Sequence, residues 1–223
     1  MKSAWDDSGC NNPAGPLIPS PLPLFPLSTV LFPGGVLPLR IFEVRYLDLI
    51  GQCQREGKPF GVVALHQGTE VRRAGAPAEE FLQVGTLAHL RDVERPQPGL
   101  INIVCDAGAR FRIEGARQLP HGLWMADVQA IPDDAPVPVP DDLREVATAL
   151  EQLLDSWRAR AIPEDQWPLR APWRWDDCGW LANRWCELLP LPLAVKQQLM
   201  ELDNPLVRLE LVGDLLARHG QAG

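Results

Sequence analysis

The sequence predicts an α+β fold in which a small mixed β-barrel with one helix precedes a bundle of α-helices. Up to about residue 131, roughly six short strand patterns surround a single helical pattern, which is typical of a barrel rather than of alternating strand–helix units. The segment PDDAPVPVP follows, and beyond it the apolar residues recur with the helical period. With 223 residues, the chain can form one large domain or two small ones.

The first part divides into a polar, proline-rich tail over residues 1–20 and a barrel domain over residues 21–132. Apolar residues recur at helical spacing over 43–56, and Gly57 is expected to end this helix. Glycine and proline turns separate the remaining apolar runs, which predict strands over 36–42, 60–65, 84–93, 100–105, 109–114 and 123–131.

Residues 133–140 are predicted to be an extended, semi-rigid linker because three of them are proline. Residues 141–223 are predicted to form the helical bundle, since connections this short favour antiparallel packing. Four helices are expected there. Their boundaries follow from an Asp142–Glu145 capping box, a cap at Asp176 or Asp177, an apolar pattern over Leu193–Leu202, and Asn204–Pro205 opening a helix that Gly220 ends.

Composition and charge limit the classes of function. The net charge of −8 argues against the broad positive field that drives nonspecific nucleic-acid binding. The five cysteines contain no CxxC pair and the four histidines are scattered, so no metal site is expected and the thiols are expected to be buried. The absence of a signal-peptide pattern and of an 18-residue apolar run favours a cytoplasmic protein without membrane contact.

Catalytic motifs do not occur. The sequence contains no GxxxxGK[ST] phosphate loop, no HExxH and no GxGxxG, and its serines lie outside any nucleophile-elbow context. A Ser–Lys pair using Lys58 or Lys196 would be needed for a hydrolase of the serine–lysine type, and this alternative is left open. The sequence therefore predicts a non-enzymatic protein with no catalytic residue and no cofactor.

Two groups of residues are candidates for binding. Six of the eight tryptophans lie between Trp157 and Trp185, and tryptophan is enriched at binding interfaces. Trp157, Trp180 and Trp185 fall on apolar helical stripes and are expected in the core. Trp173 and Trp175 lie in the segment 172–176, which is typical of a loop or a helix entry. Together with Trp167 they are candidates for an exposed aromatic surface, and packing that seals the barrel onto the bundle is the alternative.

Arginines form the second group. Arg110 and Arg112 flank Phe111 on a predicted strand, so alternation places both on the face opposite Phe111. If Phe111 is in the core, both guanidinium groups face solvent or a groove, where they could bind carboxylates or phosphates. A groove that also contained Arg40 would favour nucleic-acid binding.

Ordered motifs in the first half resemble a known family. They are Leu22-Pro23-Leu24-Phe25-Pro26-Leu27, Phe32-Pro33, Pro38-Leu39, Ile41-Phe42-Glu43, Arg45-Tyr46, Phe60-Gly61-Val62, Val84-Gly85-Thr86 and Gly108-x-Arg110-Phe111-Arg112-Ile113. In order and spacing they resemble the N-terminal, substrate-binding domain of Lon proteases. The resemblance implies a PUA-like barrel followed by helices, in a stand-alone member without the ATPase and protease domains. The tryptophan-rich segment 163–180 has no counterpart in the pattern.

The resemblance implies recognition of polypeptide or of a partner protein, with an adaptor role in proteolysis or quality control as one form of it. RNA binding is the second hypothesis, suggested only by the PUA-like barrel, and the acidic charge argues against it. A hydrolase is the third. An exposed aromatic loop would also allow the chain to form oligomers.

Overall fold

The computed structural model describes residues 18–70 and 79–220. Most of the predicted N-terminal tail, residues 1–17, lies outside the described residues. The described strands are β1 Leu22–Leu27, β2 Val36–Ile41, β3 Phe60–Gln67, β4 Glu80–Gln97, β5 Leu100–Gln118 and β6 Trp124–Ala130. The described α-helices are α1 Val44–Glu56, between β2 and β3, and then α2 Arg144–Ala159, α3 Cys178–Leu188, α4 Leu193–Glu201 and α5 Pro205–Gly220.

The six strands form one mixed sheet in the order β2-β5-β4-β3-β1-β6. β1 and β3 are parallel, and the other pairs are antiparallel. Because β5 also pairs with β6, the pairings of five strands close into a ring, with β2 attached outside it. The predicted α+β class is confirmed, whereas the PUA-like barrel stays a prediction.

Strand β5 differs from the expectation. Two strands were predicted over 100–105 and 109–114 with a turn between them, but one strand runs from Leu100 to Gln118. The register between β4 and β5 shifts where Thr86 pairs with Arg110 and Ala88 pairs with Ala107, which places an extra residue on β5. Gly108 therefore lies in a bulge, and a bulge interrupts the ladder without ending the strand.

Helix α1 packs its apolar face against the strands. Tyr46, Ile50 and Cys53 are buried among side chains of β1 and β3, and the Tyr46 ring stacks on Phe25 with centroids 3.8 Å apart. The helix ends as predicted, because Gly57 adopts the left-handed conformation with φ of 64°.

The C-terminal helices begin at side-chain caps in two of the three predicted places. The Asp177 carboxylate accepts from the backbone N–H of Trp180, and Asn204 Oδ1 accepts from the N–H of Leu206 at 3.0 Å. The predicted capping box at Asp142–Glu145 is wrong. A short 3₁₀ turn, Asp141–Leu143, comes first, so α2 begins only at Arg144.

Buried apolar side chains of the described residues form three clusters, one of which joins the sheet to the helices. Side chains of α2 to α5 pack against Val30, Phe32 and Val84 from the sheet side. Polar contacts join the same parts: the Arg184 guanidinium donates to Pro33 O at 2.8 Å, and Gln197 Nε2 donates to Val84 O at 2.9 Å. None of the helices within the described ranges is both long and apolar enough to cross a membrane.

The predicted linker is without regular secondary structure and is fixed by contacts. Val139 is buried, the Cys178 N–H donates to Val137 O at 2.9 Å, and Asp134 is ion-paired with arginines of β5 and α5. The proline-rich composition explains the extended backbone, but these anchors lie outside any linker pattern. The domain boundaries at 132 and 141 stay predictions.

Candidate functional site

A cluster of three tryptophans lies where the loop after α2 enters α3. Trp173 and Trp175 stack with centroids 5.8 Å apart and an interplanar angle of 17°. Both rings also meet Trp180 edge-on, at 6.0 and 5.4 Å. All three side chains are half-buried, so each offers part of a rigid apolar surface to solvent. We refer to Trp173, Trp175 and Trp180 as the tryptophan cluster.

Trp167 holds this loop in place and does not belong to the cluster. It is buried, its Nε1 donates to Ile162 O at 3.0 Å, and its ring meets Trp157 edge-on at 5.4 Å. The sequence analysis grouped Trp167 with Trp173 and Trp175 because, unlike the other tryptophans of this region, none of the three was assigned to an apolar helical stripe. The structure separates them: Trp167 packs inward and the other two reach the surface.

A cleft of about 360 Å³ lies beside the tryptophan cluster, between β5 and α3. We call it the junction cleft. The Trp180 ring forms part of its wall, and side chains of both charges line it. Its charged lining comprises Arg110, Asp133, Asp134, Arg170, Arg174 and Asp177. An apolar ring beside a small set of mixed charges can bind a polypeptide whose backbone and side chains carry both signs.

Arg110 is buried at the inner end of this cleft, contrary to the expectation of a solvent-facing side chain. Its guanidinium donates to Met200 O at 2.8 Å and contacts the Asp134 carboxylate at 3.1 Å. Asp134 also binds Arg208 of α5. Burial lowers the pKa of Arg110, and the carboxylate of Asp134 opposes that shift. An arginine stays charged regardless, so Arg110 serves the contact between sheet and helices.

The three candidate arginines do not form a groove together. Arg112 and Arg40 are exposed, whereas Arg110 is buried. Arg40 on β2 lies opposite Asn102 of β5, and Arg110 is eight residues further along the same strand. At about 3.3 Å per residue, that separation is roughly 26 Å.

A larger cavity, of about 830 Å³, lies along the outer side of α1 and was missed by sequence reasoning. We call it the α1 groove. Its apolar wall includes Pro21, Leu47 and Met125, and its charged groups include Asp48 and Arg55. The lining residues come from three separate stretches of chain, 19–23, 45–59 and 119–125, so no local pattern could reveal it. The only sequence signal for this groove was the outward face of α1. That face carries charged residues of the kind found on any solvent-exposed helix face.

No arrangement for catalysis is visible in these cavities. The two lysines considered for a Ser–Lys pair have other partners: Lys58 Nζ contacts Glu56 at 2.9 Å, and Lys196 Nζ donates to Glu187 O at 3.3 Å. Burial raises the pKa of Glu187 to about 7, but its carboxylate faces Arg184 in the core. Across residues 18–70 and 79–220, no three His, Cys, Asp or Glu side chains are placed to hold a metal ion.

Comparison with known proteins gives consistent matches. A family model described as the ATP-dependent protease La (LON) substrate-binding domain matches residues 21–218. The Lon protease of Anaeromyxobacter dehalogenans is 28% identical over 212 residues, and Lon protease 2 of Myxococcus xanthus is 27% identical over 209 residues. Each alignment covers 90% of this chain but only 23% and 24% of the relative. The chain thus spans about a quarter of the length of these curated relatives.

Two solved structures are similar over nearly their whole length. A Lon N-terminal domain protein from Xanthomonas campestris superposes with a TM-score of 0.65 and 31% identity, covering 88% of this chain and 96% of that one. The N-terminal domain of a Mycobacterium avium complex Lon protease gives a TM-score of 0.58 at 19% identity, covering 89% and 98%. The second likeness concerns the fold alone.

Proposed function

Because this chain belongs to the family of ATP-dependent protease La (LON) substrate-binding domains, we propose that it recognises polypeptide through its tryptophan cluster. The family model covers the whole described sheet and nearly all of the helical part, which favours a recognition role rather than catalysis. In this proposal the chain works in the cytoplasm as an adaptor in proteolysis, presenting bound polypeptide to a protease.

One observation carries the choice of surface: the stacked pair of Trp173 and Trp175, half-buried and edge-on to Trp180. Rings held in this way lose little conformational freedom on binding, which is why tryptophan contributes strongly at interfaces. The adjoining junction cleft supplies Arg174 and Asp133 for polar groups of the bound chain. Exposed apolar segments distinguish unfolded from folded polypeptides, so unfolded chains are the expected ligands.

RNA binding has less support. It would use a basic groove, but Arg110 is neutralised by Asp134 and lies far from Arg40 along the sheet. The net charge of −8 would repel a polyanion at long range. Phosphate contacts are the main source of affinity for nucleic acids, and the three candidate arginines do not form one groove that could supply them.

The test measures binding of fluorescein-labelled lysozyme, reduced and alkylated so that it stays unfolded, by fluorescence anisotropy. We expect the unfolded probe to bind and labelled native lysozyme not to bind. Trp173→Ala/Trp175→Ala should weaken binding by about tenfold or more, which corresponds to ~1.4 kcal/mol. The matched control is Phe42→Ala, which truncates a 54% exposed ring elsewhere on the surface and should leave affinity unchanged.

Unchanged affinity in the double variant would show that the tryptophan cluster is not the binding surface. Equal binding of the folded and unfolded probes would contradict the proposal that the chain selects unfolded polypeptides. A labelled single-stranded RNA is measured in parallel to test the RNA-binding hypothesis. Binding of RNA would weaken steeply as the salt concentration rises.

A further inference from the structure

The wall of the junction cleft contains an amide group whose orientation is fixed. Asn183 of α3 lines this cleft and is 4% exposed, and its Oδ1 accepts from Arg208 Nη1 at 3.1 Å. Because a guanidinium only donates, the amide oxygen must face Arg208, and Nδ2 lies on the other side of the amide. Across residues 18–70 and 79–220 no atom accepts from Nδ2, which is not fully enclosed. Asn183 therefore offers an oriented donor to the cleft.

Two arginines in the segment before α3 offer further donors to the same cleft. Arg170 donates through Nη2 to Asp165 O at 3.3 Å, while its Nε is buried and has no partner in the described part of the chain. The Arg174 side chain is 63% exposed, and its Nη1 lies 4.0 Å from Asp177 Oδ2, which is too long for a hydrogen bond. Charged donors without an acceptor are unfavourable in a partly buried site, so an oxyanion bound there gains strong hydrogen bonds.

The buried charges of the cleft already have partners. Asp134 holds both Arg110 and Arg208, and Arg110 also lies 3.7 Å from Asp203. This network contains two cations and two anions. Because it is neutral as a whole, recognition of a charged ligand depends on the groups around it.

Two carboxylates remain near the unpaired donors, and neither fills them. Asp177 caps α3, since its Oδ1 accepts from the N–H of Trp180 at 3.1 Å. Asp133 is exposed, so water screens its charge, and it acts on the paired Arg110. The formal charges of the six charged lining residues sum to zero. The unused hydrogen-bonding groups of the cleft are nevertheless mainly donors, which favours a ligand that only accepts.

We propose that the junction cleft binds a carboxylate of the recognised polypeptide, either an acidic side chain or the carboxylate at the end of a chain. The inference rests on the proposed function, because Trp180 belongs both to the tryptophan cluster and to the cleft wall. An apolar side chain on the cluster therefore places the next group of the bound chain at the cleft. Arginine binds a carboxylate through two parallel hydrogen bonds, which a neutral amide oxygen does not offer.

Three fluorescein-labelled glycine–serine peptides that share one leucine–phenylalanine pair test this proposal by anisotropy with the full chain. The first carries glutamate directly after the pair and the second carries glutamine, and both end in an amide. The third ends directly after the pair in a free carboxylate. We expect at least one of the two carboxylate peptides to bind about tenfold more tightly than the glutamine peptide at roughly 0.15 M salt. Which of the two does so identifies the source of the carboxylate.

Variants of the donors locate the subsite. Asn183→Asp replaces the donor by an acceptor of the same shape and should abolish the preference for carboxylate. Arg170→Gln should reduce the same preference several-fold, and it keeps the proposal testable if Asn183→Asp does not fold. In both variants the affinity for the glutamine peptide should stay within about twofold of the wild type. The matched control is Arg144→Gln, which removes a 67% exposed guanidinium of α2 outside the cleft and should keep the full preference.

The outcomes separate this inference from the proposed function. Equal binding of the three peptides, with binding lost in Trp173→Ala/Trp175→Ala, would overturn the carboxylate subsite and leave polypeptide recognition in place. Binding of unfolded lysozyme but of none of the peptides would overturn it as well, whereas failure of both probes would overturn the proposed function too. A preference that persists in Asn183→Asp and in Arg170→Gln would contradict the assignment to the junction cleft.

Discussion

Phe111 shows how single residues connect three of the motifs in the sequence. Its ring is fully buried, and its tip would lie 2.6 Å from a Cβ added at Gly61 and 2.7 Å from one added at Gly85. The two glycines, on β3 and β4, therefore leave the space that the ring fills. The motifs Phe-Gly-Val, Val-Gly-Thr and Arg-Phe-Arg belong to one packing unit although they lie far apart in sequence.

Gly85→Ala is expected to lower the free energy of unfolding by about 1–3 kcal/mol, as overpacking of a close-packed core usually does. The added methyl would lie 2.5 Å from Val62 O and 2.7 Å from Val63 Cγ1 as well as against the Phe111 ring. None of these neighbours is the end of a flexible side chain, so the strands themselves must shift. Urea denaturation of the variant and the wild type measures the difference.

Gly115→Ala on β5 is the matched control, because nothing lies within 4 Å of a Cβ added there. This substitution should be neutral or slightly stabilising, since alanine restricts the unfolded chain more than glycine does. Equal stability of the two variants would contradict the role assigned to Gly85.

Helix α3 docks on the turn between β1 and β2 through a buried charge pair. The Arg184 guanidinium is fully buried, donates to Pro33 O and Gly34 O, and contacts the Glu187 carboxylate at 3.1 Å. The Glu187 side chain is 15% exposed. Burial raises its pKa to about 7, with Arg184 and Lys196 opposing the rise. For the Glu187 carboxylate, therefore, the cost of burying a charge outweighs the attraction of the Arg184 and Lys196 cations.

The raised pKa of Glu187 predicts a pH-dependent stability. In the unfolded chain a glutamate titrates near 4.3, so between about pH 4.3 and about 7 the folded state binds more protons. The contribution of this group is thus present at the acid end and is lost as pH rises through that window, by on the order of 3 kcal/mol. Urea denaturation at several pH values in this range measures this contribution. It is the free energy of unfolding of the wild type minus that of the Glu187→Gln variant.

Glu56→Gln provides the comparison, because Glu56 lies on the exposed side of α1 and its pKa is lowered by Lys58 rather than raised. This variant should keep the wild-type slope between pH 4.3 and 7. A slope in Glu187→Gln equal to that of the wild type would assign the effect to other groups.

Elements with a clear local period could be predicted from the sequence, and those defined by their neighbours could not. Helix α1, its glycine end and the caps at Asp177 and Asn204 follow from side chains within a few residues. Strand alternation failed at Arg110, because helices cover that face of β5 while Phe111 fills the other. Both faces of β5 are buried there, whereas the alternation argument assumes that one face of the strand is exposed to solvent.

The candidate site divides in the same way. Tryptophan enrichment predicted a binding surface in this segment, which stays a prediction, and the surface positions of Trp173 and Trp175 make them the residues to test. Trp167 differs through its contacts with Trp157 of α2 and with Ile162 in the following loop, which no pattern in the loop encodes. The α1 groove and the junction cleft were missed because each is assembled from distant segments.

At the scale of the whole molecule, Asp134 joins three parts of the chain. Its carboxylate binds Arg110 of β5 at 3.1 Å and Arg208 of α5 at 2.5 Å, and it lies in the segment that connects the sheet to the helices. The two guanidinium groups are 4% and 1% exposed. Without the carboxylate, two neighbouring buried cations would remain, and that arrangement is far costlier than the loss of one surface ion pair.

Asp134→Ala should therefore reduce the free energy of unfolding by about 3–5 kcal/mol. Asp133→Ala removes the exposed neighbouring carboxylate and should change stability by less than about 0.5 kcal/mol.

Urea denaturation is followed by tryptophan fluorescence, which reports mainly on the helical part, and by far-ultraviolet circular dichroism, which reports on all elements. In the wild type both signals should change together, because one apolar cluster and the Asp134 network join the sheet to the helices. Separate transitions in the wild type would show that residues 133–140 join two independent domains, and an Asp134→Ala variant as stable as Asp133→Ala would show that the buried arginines find other partners.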